Sequence, residues 1–203
     1  MAILVIPTSA PSVKGPPQGQ WTLADWETLP DDGNLYEIIN GVLYMTSSPS
    51  FFHQHISFNL TRLVGVPAFE QKLARAAYAP VGVIMPECDP VQPDFVLVKW
   101  DRADIIHDRR IYGVPDLIIE ILSPGNRDYD EEVKLRAYAN AGVPEYGIVD
   151  PQARQFRLHR WELGVGYADP QIFNAEDTVA FACVPGLTFR VGDLFDDAPD
   201  TSL

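Results

Sequence analysis

The stretch at residues 115–124, Pro-Asp-Leu-Ile-Ile-Glu-Ile-Leu-Ser-Pro, constrains the fold more than any other segment. Its branched apolar residues between two prolines predict a strand buried on both faces, as in a sheet covered by helices. Because side chains alternate along a strand, Asp116, Ile118 and Glu120 share one face. A buried carboxylate is costly without a partner. The sequence therefore predicts a buried polar site around Glu120, whose partner lies elsewhere in the chain.

Length and composition are those of one globular domain. The 203 residues can bury a substantial core, and contents of 46% hydrophobic and 21% charged residues are ordinary. No apolar run approaches the ~20 residues that cross a bilayer, so we expect no membrane contact. The N-terminus has no basic segment that would indicate secretion, and Cys88 and Cys183 form no metal-like pair. We therefore expect a cytoplasmic protein with reduced thiols.

The net charge of −13 argues against non-specific binding to nucleic acid, which needs a basic surface. An acidic surface also repels phosphates at long range. A nucleic-acid substrate would therefore need positive charge close to the site. Four arginines could gather there beside Lys134: Arg109, Arg110, Arg127 and Arg136.

Three parts are predicted along the chain. Residues 1–20 are rich in Pro, Ser and Gly and predict an N-terminal arm, whereas the Asp-rich residues 196–203 predict a tail. The domain spans residues 21–195. Within it, Asn40-Gly41 between two strand-like runs predicts a tight hairpin.

Strand-like and helical patterns alternate through the rest of the domain. Residues 51–64 have the apolar spacing of a helix, with His53 in its first turn. Asp128, followed by Glu131 at the third position, predicts a capping box, and Gly142 ends the helix that follows. Further buried strands are predicted at residues 91–98 and 144–151. The pattern predicts an α/β or α+β fold around a mixed sheet.

Asp94 and Glu120 occupy two of these buried strands and are the candidate metal ligands. If the strands are neighbours, residues opposite each other lie about 5 Å apart. Two carboxylates at that distance repel by roughly 3 kcal/mol at an effective dielectric of 20. A divalent cation removes this conflict, and carboxylate ligands favour Mg²⁺, or Mn²⁺ in its place. The backbone carbonyl of Ile121 would offer a third oxygen.

Lys134, on the helix after this strand, is the candidate catalytic lysine. Its positive charge beside a metal could orient a water or stabilise charge that develops on a phosphate oxygen. Two acids, a metal and a lysine together favour hydrolysis of phosphodiesters. The alternative is an ordinary solvated helix lysine paired with Asp130, four residues earlier. Lys99, at the end of the strand that Asp94 begins, is a rival site lysine.

Several separated motifs occur together in this chain. They are Tyr-Glu-x-Ile-x-Gly at residues 36–41, Ser-Pro followed by His53, Gln-Pro-Asp at 92–94, the stretch 115–124, Arg-x-Tyr-Asp-x-x-x-Lys at 127–134, and Tyr-Ala-x-Ala-Gly-Val-Pro-Glu-Tyr-x-Ile-Val-Asp-Pro at 138–151. In this order they resemble the Uma two family of restriction-endonuclease-like proteins, within the PD-(D/E)XK nuclease superfamily. The resemblance runs from about Thr22 to Phe195.

The resemblance implies a restriction-endonuclease-like core, a mixed central sheet flanked by helices, with an N-terminal hairpin and extra C-terminal strands. Asp94 and Glu120 then take the places of the two superfamily acids. The superfamily lysine would stand two residues after Glu120, where this chain has Leu122, so the resemblance points to Lys134 instead. Glu37 would be an additional acid from the N-terminal region.

Two of these residues have structural alternatives. Glu37, beside the hairpin turn, could be a strand residue that faces solvent. His53 could bond the preceding serine-rich loop, or it could carry a proton near the site.

The leading hypothesis is a Mg²⁺-dependent endonuclease acting on DNA. A homodimer is the assembly we expect. One alternative is a catalytically inactive nuclease fold used for binding or regulation, and another is a phosphodiesterase with a small substrate. A positive cleft around Glu120 would favour the endonuclease, whereas a uniformly negative one would favour the inactive module.

Overall fold

The computed structural model describes residues 4–5, 13–46, 48–86 and 88–198. Half of the predicted arm (1–3 and 6–12) and the last part of the predicted tail (199–203) lie outside this range. The strands are β1 (Leu4–Val5), β2 (Leu35–Ile39), β3 (Val42–Thr46), β4 (Ala74–Tyr78), β5 (Gly82–Met85), β6 (Cys88–Val91), β7 (Phe95–Lys99), β8 (Arg110–Tyr112), β9 (Leu117–Ile121), β10 (Glu145–Asp150), β11 (Gln155–Glu162), β12 (Gly166–Tyr167), β13 (Gln171–Phe173), β14 (Thr178–Ala180) and β15 (Thr188–Arg190). The α-helices are α1 (Leu23–Trp26), α2 (Phe51–Leu60), α3 (Val66–Glu70) and α4 (Leu135–Ala141). Wider π-helical turns span Thr61–Gly65 and Tyr129–Lys134, and 3₁₀ turns span Trp100–Ile105 and Val191–Leu194.

The central sheet has the strand order β12-β11-β10-β9-β7-β4, with β13 beside β11. Strands β9 and β10 run parallel, whereas β7 is antiparallel to β9. The predicted mixed sheet is therefore confirmed. All five residues of β9 are buried, as the apolar run around Glu120 predicts.

The two faces of the central sheet pack against different parts of the chain. One face carries Phe95 and Leu97 and packs against α2 and the C-terminal hairpin β14–β15. The other face carries Val96 and Ile118 and packs against α4 and a second sheet, with order β1-β3-β2-β6-β5-β8. Because side chains alternate, Asp94 and Glu120 lie on this second face.

The β2–β3 hairpin brings a third acid over the same face. Asn40 and Gly41 have φ values of 51° and 71°, as a tight hairpin turn requires, so the predicted hairpin is confirmed. Ile39 belongs to the core that the two sheets share. Glu37 stands two residues earlier and points to the same side of β2.

The segment after β9 differs from the prediction at its start. No side chain caps the turn at Asp128, so the predicted capping box is wrong. The carboxylate of Glu131 instead accepts hydrogen bonds from Arg127 and Arg157. The π-helical turn leads directly into α4, which Gly142 ends with a φ of 78°, as predicted. In the described part of the chain, no helix combines the length and hydrophobicity needed to span a bilayer.

Candidate active site

Glu120 has three polar partners in the shared core. Its Oε1 accepts hydrogen bonds from Nζ of Lys134 at 2.9 Å and from the hydroxyl of Tyr138 at 2.8 Å. Its Oε2 accepts from the backbone N–H of Asp94 at 3.4 Å. The residue is only 2% exposed. The partner that burial demands is therefore a lysine and a tyrosine of the following helical segment.

Lys134 is buried and binds two acids. Its Nζ lies 3.2 Å from Oε2 of Glu37, in addition to the contact with Glu120, whereas Oδ1 of Asp130 is 3.8 Å away. Lys134 is therefore not a solvated lysine, although the predicted pairing with Asp130 is present at 3.8 Å. Burial opposes the charge on Lys134, but Glu120 and Glu37 raise its pKa well above the usual value. Lys134 stays positively charged.

Lys134 and Tyr138 reach the same carboxylate because they lie one helical turn apart, on the face turned to the sheet. The rival Lys99 does not approach the site. It ends β7 five residues after Asp94, about 16 Å along an extended strand. Its backbone N–H donates to Asp116 at that far end.

Asp94 joins β7 to the neighbouring strand and to α2. Its Oδ2 accepts a hydrogen bond from the backbone N–H of Ile121 at 2.8 Å and lies 3.1 Å from Nε2 of His53. Although burial opposes ionisation of Asp94, the adjacent His53 holds its pKa below the usual value. Burial lowers the pKa of His53, but the adjacent Asp94 raises it, and the net result is a pKa above its usual value. A charged pair is favoured.

The contacts of His53 and Glu37 bear on the structural alternatives for these two residues. The backbone N–H of His53 donates to the Ser50 side chain, which caps α2, while its imidazole bonds Asp94. Glu37 is 4% exposed and does not face solvent. Its Oε1 accepts from the N–H of Gln92 at 2.6 Å and its Oε2 accepts from the Tyr129 hydroxyl at 3.0 Å.

Asp130 and Tyr138 belong to the same cluster but were not predicted as site residues. Asp130 is 1% exposed, and its Oδ2 has no hydrogen-bond partner. Burial raises its pKa well above the usual value, although Lys134 acts in the opposite direction. The sequence signal for both was spacing, since they stand four residues before and four residues after Lys134.

The acids open into a pocket of about 220 Å³. Its lining includes four carboxyl groups but one lysine and one histidine: Glu37, Asp94, Glu120, Asp130, Lys134 and His53. Burial raises the pKa of Glu120 to about 7, with Lys134 opposing this effect. Negative charge therefore exceeds positive charge in the pocket whenever the acids ionise.

The arginines that could have gathered beside Lys134 do not line the pocket. Arg110 pairs with Glu27, Arg127 with Glu131 and Asp150, and Arg136 with Glu132. Neither these residues nor Arg109 belong to the described residues that line the acid pocket. The cleft around Glu120 is thus acidic, with Lys134 at its base.

The donor set fits a small, hard divalent cation in part. Carboxylate oxygens are the ligands Mg²⁺ prefers, the pocket has an excess of them, and Oδ2 of Asp130 is buried without a partner. Within the described residues, however, no three His, Cys, Asp or Glu side chains already converge as a metal site. Mg²⁺ commonly binds one or two carboxylates and completes its shell with waters and substrate phosphates. Asp94 and Glu120 satisfy that smaller requirement.

Comparison with known proteins agrees with this architecture. The sequence matches the Uma2 family, described as "Putative restriction endonuclease", over residues 23–192. The comparison with curated proteins gives no match. A crystal structure described as "a putative nuclease belonging to DUF820", from Anabaena variabilis, has a TM-score of 0.72 at 20% identity, covering 86% of this chain and 97% of that one. That likeness shows a shared fold. Because the family profile spans most of the sequence, the chain belongs to the Uma2 family of restriction-endonuclease-like proteins.

Proposed function

We propose that the protein is a metal-dependent endonuclease that hydrolyses phosphodiester bonds in DNA. The observation that supports this most is the meeting of Asp94 and Glu120, from neighbouring strands, with the buried Lys134 in one pocket. Such a set of acids around one lysine is expensive for a fold to keep without a function. Family membership supports the same reaction class.

Each residue has a separate role in this proposal. Asp94 and Glu120, with the Ile121 carbonyl, would hold Mg²⁺ or Mn²⁺. When bound, the metal would supply positive charge for the scissile phosphate and acidify a water. Lys134 would stabilise charge on the phosphate oxygens and orient the attacking water. Glu37 positions Lys134, and His53 orients Asp94. Tyr138 holds the Glu120 carboxylate in place.

Strand cleavage provides the test. We expect the purified protein to nick supercoiled plasmid or cut circular single-stranded DNA with Mg²⁺ or Mn²⁺, and EDTA to stop it. Glu120→Gln should lower the rate at least 100-fold, because it removes one metal ligand while keeping the side-chain shape. Glu132→Gln, an exposed residue of the same helical segment, is the matched control and should keep full activity. DNA left intact by the unaltered protein with both metals would contradict the proposal.

The second candidate is a catalytically inactive module, or a phosphodiesterase with a small substrate. Two observations favour it. The net charge is −13, and among the described residues none of the four arginines lines the acidic pocket. Long duplex DNA is held mainly by basic side chains on its phosphates. Hydrolysis of a small phosphodiester without cleavage of DNA would support the small-substrate form.

We also propose a homodimer, because twofold symmetric dimers are by far the commonest oligomers of soluble proteins. Sedimentation velocity should then give about twice the chain mass of 22.6 kDa, and a single-chain mass at micromolar concentration would contradict it.

A further inference from the structure

A second cavity, of about 720 Å³, lies next to the acid pocket. His53 contributes to the lining of both, so the two spaces adjoin at its imidazole. The second cavity is otherwise formed by the start of α2, the loop after β9 and the loop after β10, including Phe52, Ser123 and Gln152. Its size is within the range of sites for small organic ligands.

Two buried polar atoms of this lining have no partner in the described structure. They are Nδ1 of His53 and Oγ of Ser123. Buried polar atoms in folded proteins are nearly always hydrogen-bonded, so each of these two has room for a bound water or a ligand atom as its partner. Nε2 of His53 is taken by Asp94, and Nδ1 consequently faces away from that carboxylate. The side chain of His53 is 7% exposed.

Four apolar side chains also line the cavity. Leu122, Pro124 and Pro151 line the cavity together with the half-buried ring of Phe52. An apolar wall with an aromatic ring and a few fixed hydrogen-bonding atoms suits a heteroaromatic ligand, which stacks on the ring and bonds at its edge. The exposed side-chain amide of Gln152 can both donate and accept at the rim.

The charges of this cavity argue against a second phosphate. Arg127 bonds Glu131 at 2.8 Å and Asp150 at 2.9 Å through its two terminal nitrogens. Arg127 is therefore neutralised by its own partners. His53, the second cation of the lining, pairs with Asp94. A neutral ring is a better match for the space than an anion.

We propose that this cavity is a nucleobase subsite, which binds one unpaired base of the nucleotide whose phosphate enters the acid pocket. The inference rests on the proposed function, because the phosphate is what places the base next to His53. Bases of a duplex are stacked and paired, so a base can enter only from a single strand or after flipping out. The subsite therefore assigns single-stranded or unstacked nucleic acid as the preferred substrate.

Binding without catalysis tests the subsite. Isothermal titration with Mg²⁺ would compare deoxynucleoside 5′-monophosphates, which have no phosphodiester bond to cleave, with deoxyribose 5-phosphate, which lacks the base. We expect at least one of the four nucleotides to bind ten-fold or more tightly than the sugar phosphate. Equal affinities of all five compounds, or no binding of any nucleotide, would overturn the subsite. Because no bond is cleaved, this outcome is independent of whether DNA is hydrolysed.

Variants locate the bound base. Ser123→Ala should weaken nucleotide binding about 2–10-fold, the range for one lost hydrogen bond, and leave sugar phosphate binding unchanged. Ser57→Ala, in α2 and outside both linings, is the matched control. Gln152→Ala, in an exposed loop, gives a second test that does not depend on the fold tolerating a change at Ser123. Ser123→Ala and Gln152→Ala proteins that both bind nucleotide like the control would refute the assignment.

Discussion

Replacing Lys134 by methionine removes the positive charge at the base of the acid pocket while keeping a side chain of similar length. Lys134 forms ion pairs of 2.9 Å with Glu120 and 3.2 Å with Glu37, and the three side chains are only 3–5% exposed. Removing one member of a buried ion pair costs about 3–5 kcal/mol, because the remaining charge stays buried without compensation. We expect a loss of this size in the free energy of unfolding at pH 8. A domain typically has ~5–15 kcal/mol in total, so the variant should fold but be marginally stable.

The pH dependence distinguishes an electrostatic loss from a packing loss. Burial already raises the pKa of Glu120 to about 7 with Lys134 present. At pH 5.5 Glu120 is therefore mostly protonated, and removing the lysine leaves less uncompensated charge. The destabilisation of Lys134→Met should thus be smaller at pH 5.5 than at pH 8.

Urea unfolding followed by circular dichroism at both pH values measures this difference. Lys14→Met, at an exposed position, is the matched control and should change stability by less than about 0.5 kcal/mol. The reasoning would be refuted if Lys134→Met were no more destabilising than Lys14→Met, or if its effect were larger at pH 5.5 than at pH 8.

Three further predictions concern Glu120, Tyr138 and the packing of β10. The pKa of Glu120 is about 7 in the folded chain and near 4.5 when unfolded, so its contribution to the free energy of unfolding falls by about 3 kcal/mol as pH rises from 4.5 to 7. Glu120→Gln should flatten the curve of unfolding free energy against pH in that interval, and an unchanged slope would contradict this. Tyr138→Phe removes a 2.8 Å hydrogen bond to Glu120 and should cost about 1.5–3 kcal/mol in urea unfolding, whereas a neutral effect would mean that the carboxylate does not need this donor. Gly147→Ala should lose about 1–3 kcal/mol and lower the melting temperature, since a Cβ there would lie 2.5 Å from Cζ of Phe156; a variant as stable as the parent would show that Phe156 can move aside.

The position of the acids on the central sheet followed from sequence because strand periodicity is a local property. Alternation along β9 places Glu120 on the face of the sheet that Leu117 does not share. The same rule, applied to the adjacent strand β7, places Asp94 on the same face as Glu120. The hairpin that carries Glu37 followed from Asn40-Gly41, whose backbone conformations suit few other residues.

Long-range contacts set the features that sequence did not predict. The capping box failed because Arg157, which comes from β11, binds the Glu131 carboxylate that a cap would have used. The burial of Asp130 depends on the wide π-helical turn after β9, which has no simple sequence signature. Whether Lys134 faced solvent or the acids depended on how α4 packs between two sheets, and only the folded arrangement decides it.

The most direct test of the account is to locate the metal. A crystal soaked in Mn²⁺ should show one anomalous peak about 2.1 Å from a carboxylate oxygen of Asp94 and of Glu120, the distance expected for small divalent cations with oxygen ligands. The peak should disappear in crystals of Asp94→Asn. Mn²⁺ found only elsewhere on the molecule, or an acid pocket that stays free of anomalous signal at millimolar Mn²⁺, would contradict the claim that this pocket is a metal-dependent hydrolytic site.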